Sequence, residues 1–166
     1  MIQAVLCELV KRKGCGTMKQ KGTNLIRRSL HVRHVNSGGC NGCDFELMML
    51  HTPDYDAAQY GIEFVASPRH ADAILVTGGV TRNLEEALLR THEATPNPKW
   101  VVLVGDCAIG TCPLKATYAH HGGVEKVLPA DLKIPGCPPS PEKILQALRA
   151  LMKGGGAHDG DGTSTV

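Results

Sequence analysis

Short apolar runs alternate with amphipathic stretches over most of the chain. Three runs rich in Val, Ile and Leu lie at 62–67 (IEFVAS), 73–78 (AILVTG) and 100–105 (WVVLVG). Continuous runs of this kind are typical of strands that are buried on both faces of a parallel sheet. Because helical patterns alternate with these runs, the sequence predicts an α/β protein with an open, mainly parallel sheet.

Two amphipathic helices are predicted in the second half of the chain. The first covers residues 83–92 and has an apolar side formed by Leu84, Ala87, Leu88 and Thr91. The second begins with Ser140 as its cap and Pro141 at its first position. Its apolar face consists of Ile144, Leu145, Leu148, Leu151 and Met152. Both helices are expected to cover the sheet.

Composition divides the chain into three parts. Residues 1–30 form a basic arm in which an apolar stripe over 2–10 predicts a short helix, and the first 33 residues hold eight Lys or Arg against Glu8 alone. Residues 31–153 carry the α/β pattern, and the glycine-rich stretch 154–166 has little to bury and is expected to be disordered. The arm is expected to lie on a partner subunit or an anionic membrane surface, or to be a solvated leader.

Overall composition limits the classes of function. A chain of 166 residues fits one domain, and aromatic residues make up only 4%, which argues against a protein that stacks bases on aromatic platforms. No apolar stretch approaches the ~20 residues of a membrane span, so we expect a soluble, cytoplasmic protein. Seven cysteines, an odd number, favour metal or redox chemistry over a disulfide framework.

Four of these cysteines lie in loops rich in glycine or proline. Cys40 and Cys43 occur in SGGCNGCD, Cys107 in GDCA and Cys137 in PGCPPSPE. The second loop follows a predicted strand and the third precedes the last helix, and ligands of open α/β sheets gather at the carboxyl edge of the strands. Four thiolates around one point suit a cubane iron–sulfur cluster, and Gly38, Gly39 and Gly42 would leave room for it.

Two other classes of function remain open from the residues alone. Cys40-Asn-Gly-Cys43 could be a thioredoxin-type dithiol, although this leaves Cys107 and Cys137 unexplained. The basic arm could mark a zinc protein that binds nucleic acid, although zinc knuckles keep their ligands within a short stretch. The remaining thiols, Cys7, Cys15 and Cys112, are interpreted as ordinary residues. For Cys112, which follows Cys107 by five positions, the alternative is a CxxxxC pair in which it replaces Cys107 or adds a ligand.

Four blocks of the sequence resemble a known family: 37–50 (SGGCNGCDFELMML), 55–83, 98–108 and 122–148. They are similar to the small, cluster-carrying subunit of NiFe hydrogenases and to the complex I subunit that holds the terminal cluster. The resemblance implies a flavodoxin-like domain with helices on both faces of its sheet. It also implies one 4Fe–4S cluster at the carboxyl edge of the strands, with ligands Cys40, Cys43, Cys107 and Cys137.

Within that family this chain resembles the short form of the small subunit, which occurs in energy-converting, membrane-bound hydrogenases and in formate hydrogenlyase. The complex I relatives have two adjacent cysteines where this chain has Cys40-Asn-Gly-Cys43, which favours the hydrogenase type. The implied role is electron relay to a nickel–iron large subunit from a ferredoxin-like subunit, with membrane-arm subunits alongside, on the cytoplasmic face of the inner membrane. The alternative is a complex I-like quinone oxidoreductase.

Two further residues receive secondary roles. Glu46 matches an acidic position of the family near the boundary between subunits and could relay protons, or it could be a solvated helix glutamate. His70, in SPRHAD, could tune the cluster from nearby. No nucleic acid partner is expected.

Overall fold

The computed structural model describes residues 29–111 and 116–154 of the chain. The basic arm with its predicted helix, the glycine-rich end beyond residue 154, and Cys7, Cys15 and Cys112 lie outside the described residues. The described elements run from Leu30 to Gly154. The division into an arm, a domain and a tail therefore stays a prediction.

A five-stranded parallel sheet forms the centre of the fold. Its strands are β1 (Leu30–Asn36), β2 (Ile62–Phe64), β3 (Ala73–Thr77), β5 (Trp100–Val104) and β7 (Leu132–Ile134), in the order β2-β1-β3-β5-β7. A separate antiparallel pair consists of β4 (Val80–Thr81) and β6 (His120–Gly122). Counted along the chain, the strand order of the large sheet is that of flavodoxin-like proteins, with its switch point between β1 and β3. The predicted fold class is confirmed.

Four α-helices accompany the strands in the described part of the chain. They are α1 (Gly42–Met49), α2 (Arg82–Ala94), α3 (Asp106–Ile109) and α4 (Pro141–Gly154). Single 3₁₀ turns lie at Ala57–Tyr60, Pro68–His70 and Val124–Lys126. The carboxyl ends of β1 and β5 lead into α1 and α3, and β7 is followed by α4, so three loops reach the same edge of the sheet.

The sheet separates two hydrophobic clusters. Leu75, Val102 and Val104 face α1 and α4, while Ile74, Val76 and Leu103 face the side that holds Leu88 of α2 and Ala108 of α3. This alternation gives three layers, with the whole of Ala73–Thr77 buried. The expectation that the apolar runs are strands covered on both faces is confirmed for β3 and β5, but it is wrong for β2, which lies at the edge of the sheet and has Glu63 exposed.

The two predicted helices differ in how well their apolar faces match the core. All five residues assigned to the buried face of α4 are buried: Ile144, Leu145, Leu148, Leu151 and Met152. In α2 only Leu88 is buried, and Leu84 is 37% exposed. The sequence therefore predicted too many buried residues on α2, because this helix contacts the core through Leu88.

The strands end earlier than the apolar runs suggest. The second and third runs reach residues 78 and 105, but Gly78 and Gly105 have φ angles of 76° and 91°, which a strand cannot continue. At the first run, Val65 still donates a backbone hydrogen bond to Val32, and the chain then turns at Pro68. Glycines with left-handed φ thus release the backbone into two of the loops at the carboxyl edge.

Candidate functional site

The four cysteines in glycine- and proline-rich loops meet at the carboxyl edge of the sheet. Cys40 and Cys43 follow β1, Cys107 lies in α3 directly after β5, and Cys137 follows β7. All four line one cavity of about 110 Å³. Cys40 and Cys137 are exposed, whereas Cys43 and Cys107 are half-buried, so the cavity is deeper on the side of the latter two.

Glycines keep the backbone close to two of the sulfurs. At Gly105, which also has a left-handed φ, a Cβ atom would lie 2.5 Å from Cys43 Sγ. At Gly42 a Cβ atom would lie 3.6 Å from Cys40 Sγ and 4.0 Å from Cβ of Pro138. Gly105 therefore provides the space that the Cys43 thiol occupies, and Gly42 borders the cavity without a side chain.

Gly38 and Gly39 have a role in loop packing that was not predicted. A Cβ atom at Gly38 would lie 2.4 Å from Cγ2 of Thr81, and one at Gly78 would lie 2.3 Å from the backbone nitrogen of Gly39. The glycines after β1 therefore allow that loop to lie directly on the turn after β3. Gly39 lines the cavity, in agreement with the expectation, whereas Gly38 does not, so the expectation is wrong for Gly38 alone.

Asp106 joins the two other cysteine loops. Its backbone N–H donates to the carbonyl of Gly136 at 2.9 Å, and its Oδ1 accepts from the backbone N–H of Gly136 at 2.9 Å. This pair of hydrogen bonds between the neighbours of Cys107 and Cys137 fixes the spacing of their loops. Asp106 was not predicted from the sequence, although its place directly after the glycine of GDCA was a usable signal.

A polar network braces the Cys40–Cys43 loop. Oδ1 of Asn36 accepts from the backbone N–H groups of Gly38 at 2.8 Å and Gly39 at 3.1 Å, and its amide donates to Oδ1 of Asn41 at 3.1 Å. The same amide donates to Oδ2 of Asp44. The loop is thus wrapped around the side chain of Asn36 at the end of β1, a role that was also not predicted from the sequence.

Burial raises the pKa of the Cys43 thiol to about 11, and the charges of Cys40 and Cys137 add to the effect, followed by Asp44 and Asp106. Mutual repulsion among the sulfurs is what a site with several thiolates would show without a cation. The dithiol interpretation does not account for the thiols of Cys107 and Cys137, which lie on the wall of the same cavity.

The arrangement of donors also distinguishes one metal ion from a larger group. Within residues 29–111 and 116–154, no three Cys, His, Asp or Glu side chains are placed to hold a single ion. Instead the thiols surround a space of about 110 Å³, several times the ~10–15 Å³ that one water needs. A polyatomic core with thiolate ligands fits this cavity better than a zinc ion does.

The remaining candidate residues lie away from the cavity wall. Glu46 is half-buried on α1 and does not line the cavity, and its proton-relay role stays a prediction. His70 is exposed in the turn that leads into the amino end of β3, whereas the cysteines lie at the carboxyl ends. The expectation that His70 lies near the cluster is therefore wrong.

Together these features define the class: an open, flavodoxin-like α/β protein with a four-cysteine cavity at the carboxyl edge of its sheet. The family model described as NADH ubiquinone oxidoreductase, 20 Kd subunit, matches residues 40–151, which contain all four cysteines. The chain belongs to this family of oxidoreductase complex subunits.

Curated relatives fall in two groups by name. The probable membrane-bound hydrogenase subunit mbhJ of Pyrococcus furiosus is 45% identical over 74% of this chain and 74% of its own length. Formate hydrogenlyase subunit 7 of Escherichia coli is 41% identical over 78% of this chain, which spans about half (51%) of that protein. An NADH-quinone oxidoreductase subunit of Bacteroides thetaiotaomicron is 43% identical over 67% of this chain and 57% of its own length.

Solved structures support the same fold. A chain of the membrane-bound sulfane sulfur reductase, an archaeal respiratory membrane complex, aligns with a TM-score of 0.67 and 32% identity over 78% of this chain and 71% of that one. A chain of an NAD⁺-reducing [NiFe]-hydrogenase aligns with a TM-score of 0.58 at 21% identity, over 76% of this chain and 93% of that one. Among the described helices of this protein, none has the length and apolar content to cross a membrane.

Proposed function

We propose that this chain is the electron-transfer subunit of a membrane-associated complex of the NiFe hydrogenase type. It holds one 4Fe–4S cluster with Cys40, Cys43, Cys107 and Cys137 as ligands. The observation that carries the proposal is the meeting of these four thiols, from three separate loops, on the wall of one cavity. When bound, the cluster supplies a one-electron couple.

The chain's own residues would bind and shield this group. The thiols of Cys43 and Cys107 form the deeper side of the site, and those of Cys40 and Cys137 the outer side. Asp106 and Asn36 hold the loops in place through backbone hydrogen bonds, so little rearrangement is needed on binding. A site fixed in advance suits an electron carrier, because its geometry changes little between oxidation states.

An apolar surface next to the cavity supports a partner subunit at that edge. Phe45, Met48 and Met49 lie on one face of α1 and are 65%, 64% and 40% exposed, whereas Leu47 and Leu50 face the core. Exposed apolar clusters mark interfaces, where Phe and Met are enriched. With Cys40 and Cys137 exposed beside this face, we assign it to the large subunit that carries the nickel–iron site.

The hydrogenase type is favoured over the quinone type by the cysteine spacing and by two relatives. The Cys40-Asn-Gly-Cys43 spacing resembles hydrogenase small subunits, and the relatives from P. furiosus and E. coli carry hydrogenase or hydrogenlyase names. In this role the chain relays electrons and the nickel–iron site lies in the large subunit. A ferredoxin-like subunit and membrane-arm subunits complete the complex on the cytoplasmic face of the membrane.

A direct test is the cofactor content of the full chain purified or reconstituted without oxygen. We expect a brown protein with about four iron and four acid-labile sulfide ions per chain, and an electron paramagnetic resonance (EPR) signal after reduction. A colourless protein, or one that contains zinc and no sulfide, would overturn the proposal in favour of the dithiol or zinc alternatives.

A second candidate is a respiratory complex that lacks a nickel–iron site. It is favoured by the similarity to the sulfane sulfur reductase chain and to the NADH-quinone oxidoreductase subunit. Purification of the native complex distinguishes the two. Nickel in a co-purifying large subunit supports the hydrogenase type, and a complex with the cluster but without nickel supports the second candidate.

A further inference from the structure

Asp44 is a carboxylate on the cavity wall whose placement the cysteines alone do not explain. It follows Cys43 directly in the first turn of α1, and its side chain is only 19% exposed. It lines the same cavity as the four thiols. Burying a carboxylate this far is costly unless hydrogen bonds compensate.

Three polar side chains from two strands surround the Asp44 carboxylate within hydrogen-bond distance. Thr77 Oγ1 donates to Asp44 Oδ1 at 2.6 Å, and His34 Nε2 lies 3.1 Å from the same oxygen. The amide of Asn36 donates to Oδ2. His34 and Asn36 belong to β1 and Thr77 ends β3, so the carboxylate is held at the switch point of the sheet.

This placement fixes the position of Asp44. Asn36 connects Asp44 to the backbone of the Cys40 loop, because its Oδ1 accepts from Gly38 and Gly39 while its amide reaches Asp44. The Asp44 carboxylate is also one of the charges that raise the pKa of the Cys43 thiol, because it repels a negative charge on that sulfur. Partial burial keeps this field from being fully screened by salt.

We propose that Asp44 is a positioning residue for the Cys40–Cys43 loop and that its negative charge lowers the reduction potential of the bound cluster. The inference rests on the proposed function, since it concerns the group that the four thiols hold. Reduction adds one electron, and thus one negative charge, to that group. A fixed carboxylate on the wall opposes this addition, because net charge near a cluster is one of the determinants of its potential.

A purely structural role for Asp44 makes a different prediction. An acidic residue in the first turn also stabilises a helix through its dipole, and loss of that effect would lower stability or cluster content. It would leave the potential of the clusters that do form unchanged. The midpoint potential therefore separates the two roles.

The experiment uses the full chain, loaded with iron and sulfide without oxygen, in three forms: wild type, Asp44→Asn and Asp72→Asn. Asp72 is the matched control, because it accepts hydrogen bonds from N and Nδ1 of His31 but lies just before β3, at the opposite edge of the sheet. EPR signals are followed during a redox titration at fixed pH and salt. Only loaded molecules give a signal, so partial loading does not affect the potential.

We expect a more positive midpoint potential for Asp44→Asn than for wild type, with Asp72→Asn unchanged. Equal potentials for wild type and a loaded Asp44→Asn would overturn the inference and leave the proposed function standing. A wild-type chain that takes up no cluster would overturn both. An equal shift in Asp72→Asn would also contradict the inference, because the effect would not be local.

A second variant applies if Asp44→Asn takes up no cluster. Thr77→Val keeps the carboxylate and removes one hydrogen bond to it. We then expect less iron per chain than in wild type, because the loop is less well held. Wild-type iron content in Thr77→Val, together with no loading in Asp44→Asn, would overturn the positioning role.

Discussion

Gly105 directly follows β5 and lies against the thiol of Cys43. Its φ of 91° and the 2.5 Å from an added Cβ to Cys43 Sγ are two separate reasons for glycine at this position. The neighbouring Gly110 has a similar φ of 89°, but an added Cβ there would meet only the backbone of Gly123, at 3.1 Å. Substitutions at Gly105 and Gly110 therefore separate the effect of backbone strain from the effect of contact with a thiol.

We predict that Gly105→Ala lowers the iron content of the reconstituted chain, while Gly110→Ala does not. Both variants should lose about 1–3 kcal/mol of stability from the strained backbone. Iron analysis and urea unfolding of the two variants check this. A Gly105→Ala chain with full iron content would show that Cys43 is not held where the structure places it.

Among individual residues, the four thiols were predicted from the sequence, but the residues that hold their loops in place were not. Cys40, Cys43, Cys107 and Cys137 were identifiable because their loops are rich in glycine and proline. Asp44 and Asn36 were missed because an acid at a helix start and an amide after a strand are common, and only the fold shows that they bond to each other.

Among the elements, α1 and α4 have different roles. The helix α4 covers one face of the sheet, with Ile144 and Leu148 fully buried in the cluster that includes Leu75 and Val102. The short helix α1 is divided, since Leu47 and Leu50 reach the core while Phe45, Met48 and Met49 face outward. One helix therefore mainly stabilises the fold, and the other also offers a surface beside the site.

We predict that Leu148→Ala lowers the free energy of unfolding by about 2–5 kcal/mol, because it leaves a cavity between α4 and the sheet. Leu89→Ala is the matched control, since Leu89 lies on α2 and is 38% exposed. Urea unfolding of both variants provides the measurement. A similar small loss in both would mean that α4 does not pack on the sheet as described.

We further predict that Met48→Lys reduces co-purification of the large subunit from the native complex, whereas Leu89→Lys does not. A charge placed in an apolar interface loses its hydration without a partner. The iron content of both variants should equal that of wild type, since neither residue lines the cavity. Undiminished co-purification with Met48→Lys would show that the large subunit contacts a different surface.

The strands show where sequence patterns succeed and fail. The runs that became β2, β3 and β5 are apolar and were predicted, whereas β1, Leu30–Asn36, is interrupted by His31, Arg33 and His34. Two of those residues find polar partners that the sequence does not reveal, Asp72 for His31 and Asp44 for His34. Because His31, Arg33 and His34 interrupt the apolar residues of β1, this strand has no continuous apolar run by which the sequence could predict it.

For the whole molecule, the decisive feature is the strand order β2-β1-β3-β5-β7. It brings the carboxyl ends of β1, β5 and β7 to one edge, and with them three loops that are up to about a hundred residues apart in sequence. Alternating strands and helices predicted the class of fold, but not which strands are neighbours. The resemblance to known subunits implied a flavodoxin-like domain, and the structure gives the order itself. Strand pairing over such distances leaves no local pattern in the sequence.

The four-cysteine site is tested by a series of single cysteine-to-serine changes in the full chain, with iron and sulfide measured after reconstitution without oxygen. We expect a strong loss of the cluster, or an altered EPR signal, in each of Cys40→Ser, Cys43→Ser, Cys107→Ser and Cys137→Ser, since all four thiols line one cavity. Cys112→Ser should retain wild-type content. A Cys112→Ser chain as damaged as Cys107→Ser, or a Cys137→Ser chain with an unchanged cluster, would contradict the four-ligand site.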